Sequence, residues 1–198
     1  MARRSEHSQE QIKEMVLSAA EAIIIDEGVE ALTVRKIALE IGYTVGSIYM
    51  VFANMQDLMM HIKGRTLDQL AVQLRQISSG DGTEQQVSAL ADAYLGFAAK
   101  NYNRWRIIFD ADLQHSDELP DWYRQKIELI FAPIEVLFSR MAPESGEDQA
   151  RLAARSLWCG VHGVCVLSLN GNLGRAGVEN AETAVRVLVD SFIRGWKQ

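Results

Sequence analysis

The sequence predicts an all-α protein, and three observations predict it. Apolar residues recur at helical spacing along nearly the whole chain, alternating apolar and polar segments are absent, and loop-forming clusters fall between the periodic stretches. Ile107-Ile108-Phe109 and Val164-Cys165-Val166-Leu167 favour strands locally, but both are short and lie inside helix-compatible segments. With 198 residues, 48% of them hydrophobic, and only 3 prolines, the chain can bury a real core and is neither disordered nor linker-dominated.

The first helix starts after Ser8, whose spacing to Gln11 fits a capping box, and carries Ile12, Met15, Val16, Ala19, Ala20 and Ile23 on one face. Gly28 ends it, because glycine takes the left-handed conformation that closes a helix C-terminus. A short second helix uses Thr33 as its N-cap and buries Val34, Ile37, Ala38 and Ile41. Gly42-Tyr43-Thr44 breaks it; helix resumes from Val45 to Val51 with Thr44 as N-cap and Ile48 and Phe52 inward. Asn54 caps a fourth helix from Met55 to about Ile77, with Leu58, Ile62, Leu67, Leu70 and Leu74 apolar. Ser78-Ser79-Gly80-Asp81-Gly82-Thr83 is the clearest loop. Beyond it helices are expected at 84–100, 104–112, 120–141, 148–169 and 178–196, with breaks at 101–103, 114–119, 143–147 and 170–177, about nine helices in all. The chain divides into a three-helix head, 1–55, and a larger helical domain, 56–198.

Net charge is -6, and residues 1–65 hold seven basic and nine acidic side chains, so no part of the chain is a basic domain. Cys159 and Cys165 lie about 9 Å apart along a helix axis and cannot bridge there. The N-terminus lacks the apolar run of a secretory signal. The 19-residue uncharged stretch Ser156–Gly174 contains glycines, asparagines and His162, which suit a buried helix and turn better than a membrane span. A cytoplasmic protein is expected.

The informative segment is Gly28 to Leu58. A short helix, a tight glycine-containing turn and a second short helix, all held on a longer one, form the arrangement that presents a helix to the DNA major groove. On the second short helix Thr44, Ser47 and Tyr49 offer hydroxyls outward, and Gly46 permits close backbone approach. Hydroxyls and helix N-terminal amides bind phosphates and bases without net positive charge. Arg35 and Lys36, with Arg3 and Arg4 on the leader, supply cations.

Gly28, Thr33, Val34, Ile37, Ala38, Gly42, Thr44, Gly46, Ser47, Ile48, Tyr49, Phe52, Asp57 and Leu58 stand in an order that resembles the DNA-binding domain of the tetracycline-repressor (TetR) family. The resemblance implies a homodimer that reads two half-sites of a palindromic double-stranded operator and releases it when a small-molecule effector binds the C-terminal domain. Carried onto this sequence, it implies that Thr33 and Tyr49 hold phosphates, that Arg35, Thr44, Val45, Gly46 and Ser47 lie at or near base edges, and that Lys36 and Met50 belong to the same interface. Val51 and Met55 stand where the family commonly has a phosphate-contacting His and Lys, so one or two backbone contacts per head should be missing.

Trp158-Cys159-Gly160-Val161-His162-Gly163 resembles a Trp-x-x-x-His-Gly motif of one TetR subfamily. Aromatic residues concentrate in the second domain, where they most often make core but as a group would line an apolar cavity. The candidate ligand-binding residues are Trp105, Phe109, Trp122, Phe131, Trp158 and His162. Gly160, Gly163, Val164 and Leu167, with Val185, Leu188, Val189 and Phe192 on the last helix, look like the two-helix contribution each subunit makes to a four-helix dimer interface in the resembled family, unless both stripes face their own core. Cys159, His162 and Cys165 spread over about 120° of helix circumference, so no metal site and no cofactor are expected. No nucleophile, phosphate-loop or zinc-hydrolase motif occurs, and no enzyme is expected. The expected function is an effector-released repressor; the alternative is a DNA-binding architectural or partner-docking protein with no small ligand.

Overall fold

In the computed structural model, which describes residues 7–77, 82–109 and 119–197, Ser8 sets the start of α1 (Gln9–Glu27). Its hydroxyl accepts the Gln11 amide, and the Gln11 side chain accepts the Ser8 amide in return. Gly28 closes α1 with φ 87° but ψ 167°, so its positive φ turns the chain out of the helix without the left-handed helical conformation expected. A 3-10 turn, Val29–Ala31, leads to α2 (Val34–Glu40), whose N-cap is Thr33.

Next, α3 (Val45–Ile48) is shorter than the 45–51 predicted. The amides of both Val51 and Phe52 donate to the Ile48 carbonyl, a tightened turn that swings Phe52 into the core. Asn54 caps α4 (Met55–Arg75): its side chain accepts the Asp57 amide while the Asp57 carboxylate accepts the Ala53 amide. That reciprocal pair gives Asp57 a structural role. The expected 78–83 loop lies largely outside the described residues.

Later come α5 (Thr83–Lys100), α6 (Tyr102–Arg106), α7 (Asp121–Met141), α8 (Glu147–Leu169) and α9 (Ala181–Trp196). These make nine α-helices among the described residues, in an all-α fold. Only Asn101 separates α5 from α6, where a three-residue break was predicted. The helix predicted over 104–112 ends at Arg106 and passes into a 3-10 turn, Ile107–Phe109; Asp110–Asp112 lie outside the described residues. Asn180 is extended and its side chain accepts the Thr183 amide, so α9 starts after it and not at Val178.

The chain forms two compact units that do not follow the 1–55 and 56–198 division. The first holds the described residues up to Thr66 together with Asn103–Phe109 and Leu119. The reason is packing: Leu58 and Ile62 of α4, and Ile107, are buried in one core with Ile24, Ile37, Ile48 and Phe52. Asn103 Nδ2 donates to the Ile25 carbonyl at 3.0 Å, and Arg106 pairs with Glu30. Glu21 is buried on α1, 3.2 Å from Arg65 Nε, and Arg65 also bonds Glu14 at 2.9 Å.

The second unit holds Leu67–Tyr102 and the chain from Pro120 onward, with α8 packed on α5, α7 and α9. By length and composition α8 could cross a membrane, but Ala150, Ala153, Ala154, Leu157, Val161 and Cys165 are buried within its own unit. Arg155 ties α8 to α7: it bonds Glu128 and Glu135 at 2.8 and 2.9 Å and covers the Phe131 ring at 4.7 Å.

Candidate nucleic-acid interface and ligand cavity

Two short helices joined by a glycine turn form the outer part of the first unit. Gly42 has φ 71°, which lets the chain reverse within one residue, and the Tyr43 amide returns to the Ala38 carbonyl at 2.9 Å. Thr44 then caps α3, its hydroxyl accepting the Ser47 amide at 3.2 Å and lying 3.0 Å from the Ser47 hydroxyl. Thr33 does the same for α2, accepting the Lys36 amide at 3.1 Å.

The structure places Thr33, Arg35, Thr44, Gly46, Tyr49 and Met50 at exposed positions. Ser47 is half-buried and bonded to Thr44. Val45 packs partly against the first core, so it has less surface for base edges than its neighbours. Lys36 is ion-paired with Glu27, which changes its expected standing as a ready cation. Arg3 and Arg4 lie outside the described residues.

The exposed face also explains why position 46 tolerates having no side chain. A Cβ added to Gly46 would meet only the Thr44 hydroxyl, at 3.6 Å, an ordinary contact. Nothing inside the protein requires glycine there. Its absent side chain leaves backbone open on the outer face. Sequence reasoning missed one contact here: His7 Nδ1 lies 2.7 Å from the Tyr43 hydroxyl, tying the start of α1 to the turn. The two residues are 36 positions apart, and no local pattern signals their pairing.

In the second unit, Leu74, Val87, Leu90, Ala91, Tyr94, Ile130, Ile134, Ala154, Leu157, Trp158 and Val161 surround a space of about 30 Å³. That volume admits roughly two waters and falls well short of the ~300 Å³ typical of ligand pockets. Of the predicted ligand residues, Trp158 lines it. Phe131 and His162 stand behind Trp158: Phe131 meets its ring edgewise at 5.3 Å and His162 stacks on it at 4.9 Å. Tyr94 places its hydroxyl 2.8 Å from His162 Nδ1. Burial holds the His162 imidazole below its usual pKa.

The other three predicted ligand residues lie elsewhere among the described contacts. Trp105 and Phe109 belong to the first unit, where Ile107 anchors their segment, and they pack edgewise on each other at 5.5 Å. Trp122 packs on Tyr123 at 5.6 Å and does not line the space. The small residues Ala91 and Ala154 escape sequence reasoning, because alanine carries no signal beyond helical periodicity.

The two predicted interface stripes hold both buried and open positions. Val185 and Val189 are buried in their own unit, and Gly160 backs onto Leu188 of the same chain. Phe192 packs on Phe138 at 6.0 Å. Gly163 faces open space, Val164 is half-buried and Leu167 is exposed. Cys159 is exposed while Cys165 is buried, its thiol pushed up to about 11 by burial.

A capped reading helix carried by a packed head, on a chain with a separate helical body, defines a helix-turn-helix DNA-binding regulator. Residues 87–192 match the "Tetracyclin repressor-like, C-terminal domain" family and residues 16–62 match "Bacterial regulatory proteins, tetR family". The chain therefore belongs to the TetR family of transcriptional regulators. It is 25% identical over 159 residues to the uncharacterized HTH-type transcriptional regulator Rv0681 of Mycobacterium tuberculosis, covering 80% of this chain and 71% of that one. The fold is similar to that of a Rhodococcus sp. RHA1 protein of unknown function, with TM-score 0.76 and 19% identity over the full length of both chains. It is also similar to the TetR family regulator PfmR of Thermus thermophilus, with TM-score 0.61 and 17% identity over 90% of this chain and 97% of that one.

Proposed function

We propose that this regulator is a cytoplasmic homodimeric repressor whose two heads bind half-sites of a palindromic operator and whose second unit takes a small-molecule effector that releases it. The observation that carries the DNA half of this reading is the outer face of α2 and α3, where Thr33, Arg35, Thr44, Gly46 and Tyr49 stand exposed together on two capped helices. Thr33 and Tyr49 would hold phosphates, Arg35, Thr44, Val45, Gly46 and Ser47 would lie at or near base edges, and Lys36 and Met50 complete the interface. Of the predicted interface residues, Gly160, Gly163, Val164, Leu167, Leu188 and Phe192 keep surface that a partner could cover, while Val185 and Val189 do not.

The effector half is supported by the match of residues 87–192 to the tetracycline-repressor-like C-terminal domain. Release requires that the effector bind the DNA-incompetent arrangement better than the competent one, and the shift equals that difference in affinity. The size of the space, about 30 Å³, favours a second reading, a DNA-binding architectural or partner-docking protein with no small ligand.

Selection of bound sequences from random DNA with the full chain tests the first claim, and an enriched inverted repeat is expected. No enriched site, together with unchanged DNA binding by Tyr49→Ala, would overturn it. Sedimentation as a monomer at micromolar concentration would remove the dimer and with it the palindrome.

A further inference from the structure

Resting on the reading that the outer face of α2 and α3 meets an operator, we infer that Met50 recognises thymine, by packing its side chain on the 5-methyl group that this base presents in the major groove. Ile48 and Phe52 are 1% and 2% exposed, and they pin α3 and the turn after it to the first core. Met50 stands between them in sequence and is 66% exposed. The chain is helical up to its neighbour: the Tyr49 amide donates to the Val45 carbonyl at 3.3 Å, and Tyr49 has φ -73° and ψ -4°. At about 100° per residue, Met50 lies about 200° around the axis from Ile48 and within about 40° of Gly46, four positions earlier. Side chains of a helix lean toward its N-terminus, so the Met50 arm leans back over the face that holds Gly46. That face is the exposed one of the reading helix.

The hydroxyls of α3 discriminate bases poorly. Thr44 and Ser47 hold their hydroxyls 3.0 Å apart, and Thr44 also accepts the Ser47 amide at 3.2 Å. Once they bond each other, the pair has one O–H left to donate, and a hydroxyl that both donates and accepts suits several base edges. Methionine is more selective. Of the four bases, only thymine puts an apolar group into the major groove, so an exposed apolar side chain brought there gains most where it covers that methyl. The unbranched thioether, with three rotatable bonds and a polarizable sulfur, adapts its reach to the position of the methyl. Met50 therefore gives this head a base preference that rests on burial of apolar surface and not on charge.

The test uses the full chain and the operator returned by selection from random DNA. Each thymine of a half-site is replaced in turn, with its symmetry mate, by deoxyuridine, which removes the methyl and keeps the pairing. At one such position wild type should lose about fourfold in affinity per methyl, about sixteenfold for the pair, as expected for burial of one such group at each half-site. Met50→Ala should bind the thymine and uracil operators equally at that position. Its Tm should match that of wild type because the side chain is exposed, and its salt slope should match because no phosphate contact is lost. Uracil tolerated at every position, or a thymine preference that survives Met50→Ala undiminished, would overturn the inference while leaving the operator reading intact. No enriched site, together with unchanged DNA binding by Tyr49→Ala, overturns the operator reading and this inference with it.

Discussion

A Cβ placed on Gly160 of α8 would lie 2.8 Å from Cδ2 of Leu188 on α9. The two helices of one chain therefore approach through a glycine, and the residue on the other side is the end of a flexible side chain. Gly160→Ala should cost little, since Leu188 can turn aside and alanine favours the helix. Gly160→Leu should cost about 1–3 kcal/mol through overpacking. Urea unfolding of the two variants, alone and with Leu188→Ala, checks this. Leu188→Ala should recover most of the loss in the Leu variant and none of its own cost in wild type.

Gly46→Ala should separate folding from binding. The position is exposed in a helix and a methyl group meets only an ordinary contact, so thermal stability should stay the same or rise by up to about 1 kcal/mol. Operator affinity should fall, by about tenfold or more if the methyl keeps the backbone from DNA. A Gly46→Ala protein that binds DNA normally would remove this residue from the interface.

Lys36 is restrained by Glu27, and the pair is exposed enough that breaking it costs about 1 kcal/mol or less. Glu27→Gln should free the ammonium for a phosphate. The expected result is tighter DNA binding and a salt slope steeper by about 0.9. Wild type, with Val51 and Met55 in place of two phosphate-contacting residues, should have a shallower slope than a protein with about ten phosphate contacts. Measuring affinity across a salt series for both proteins decides both points.

His162 makes stability depend on pH in one direction. Its folded pKa is lowered by burial from the ordinary 6.5, so the unfolded chain takes up the proton first as pH falls. The stability it contributes is complete above about pH 6.5 and is lost as the pH drops below that value through the lower folded pKa. His162→Gln, which keeps a hydrogen-bonding partner for Tyr94, should show a flatter fall in Tm between pH 7 and 5 than wild type. Parallel curves for the two proteins would exclude this role.

What the sequence made legible was whatever depends on neighbours three or four residues apart. Ser8 with Gln11, Thr44 with Ser47 and Asn54 with Asp57 are cap pairs, and the spacing alone locates each. The exposure of Thr44 and Tyr49 on either side of the buried Ile48 follows from the same local geometry. Contacts between distant residues were not legible. Glu21 on an otherwise apolar face of α1 is buried because Arg65, 44 positions later, lies against it, and no helical period encodes that. Trp105 and Phe109 join the first unit against expectation for a related reason: the chain returns to the first core through Ile107, and aromatic content does not reveal which core an aromatic joins. Val185 and Val189 form the expected stripe, but periodicity gives a buried face without saying whether the same chain or another covers it.

The return of Ile107 also bears on how the head is made and exchanged. Its side chain fills a core whose other buried residues end at Ile62, so more than forty residues of intervening chain must be synthesised before that core is complete. A head cut at residue 66 would present to water the apolar surface that Ile107 covers, a loss of about 2–5 kcal/mol if it resembles the removal of a large aliphatic side chain. Grafting this DNA-reading unit onto another regulator would therefore fail as a single splice. It needs two, the second carrying Asn103–Phe109, so the protein inherits its specificity as an interleaved pair of segments rather than a detachable cassette.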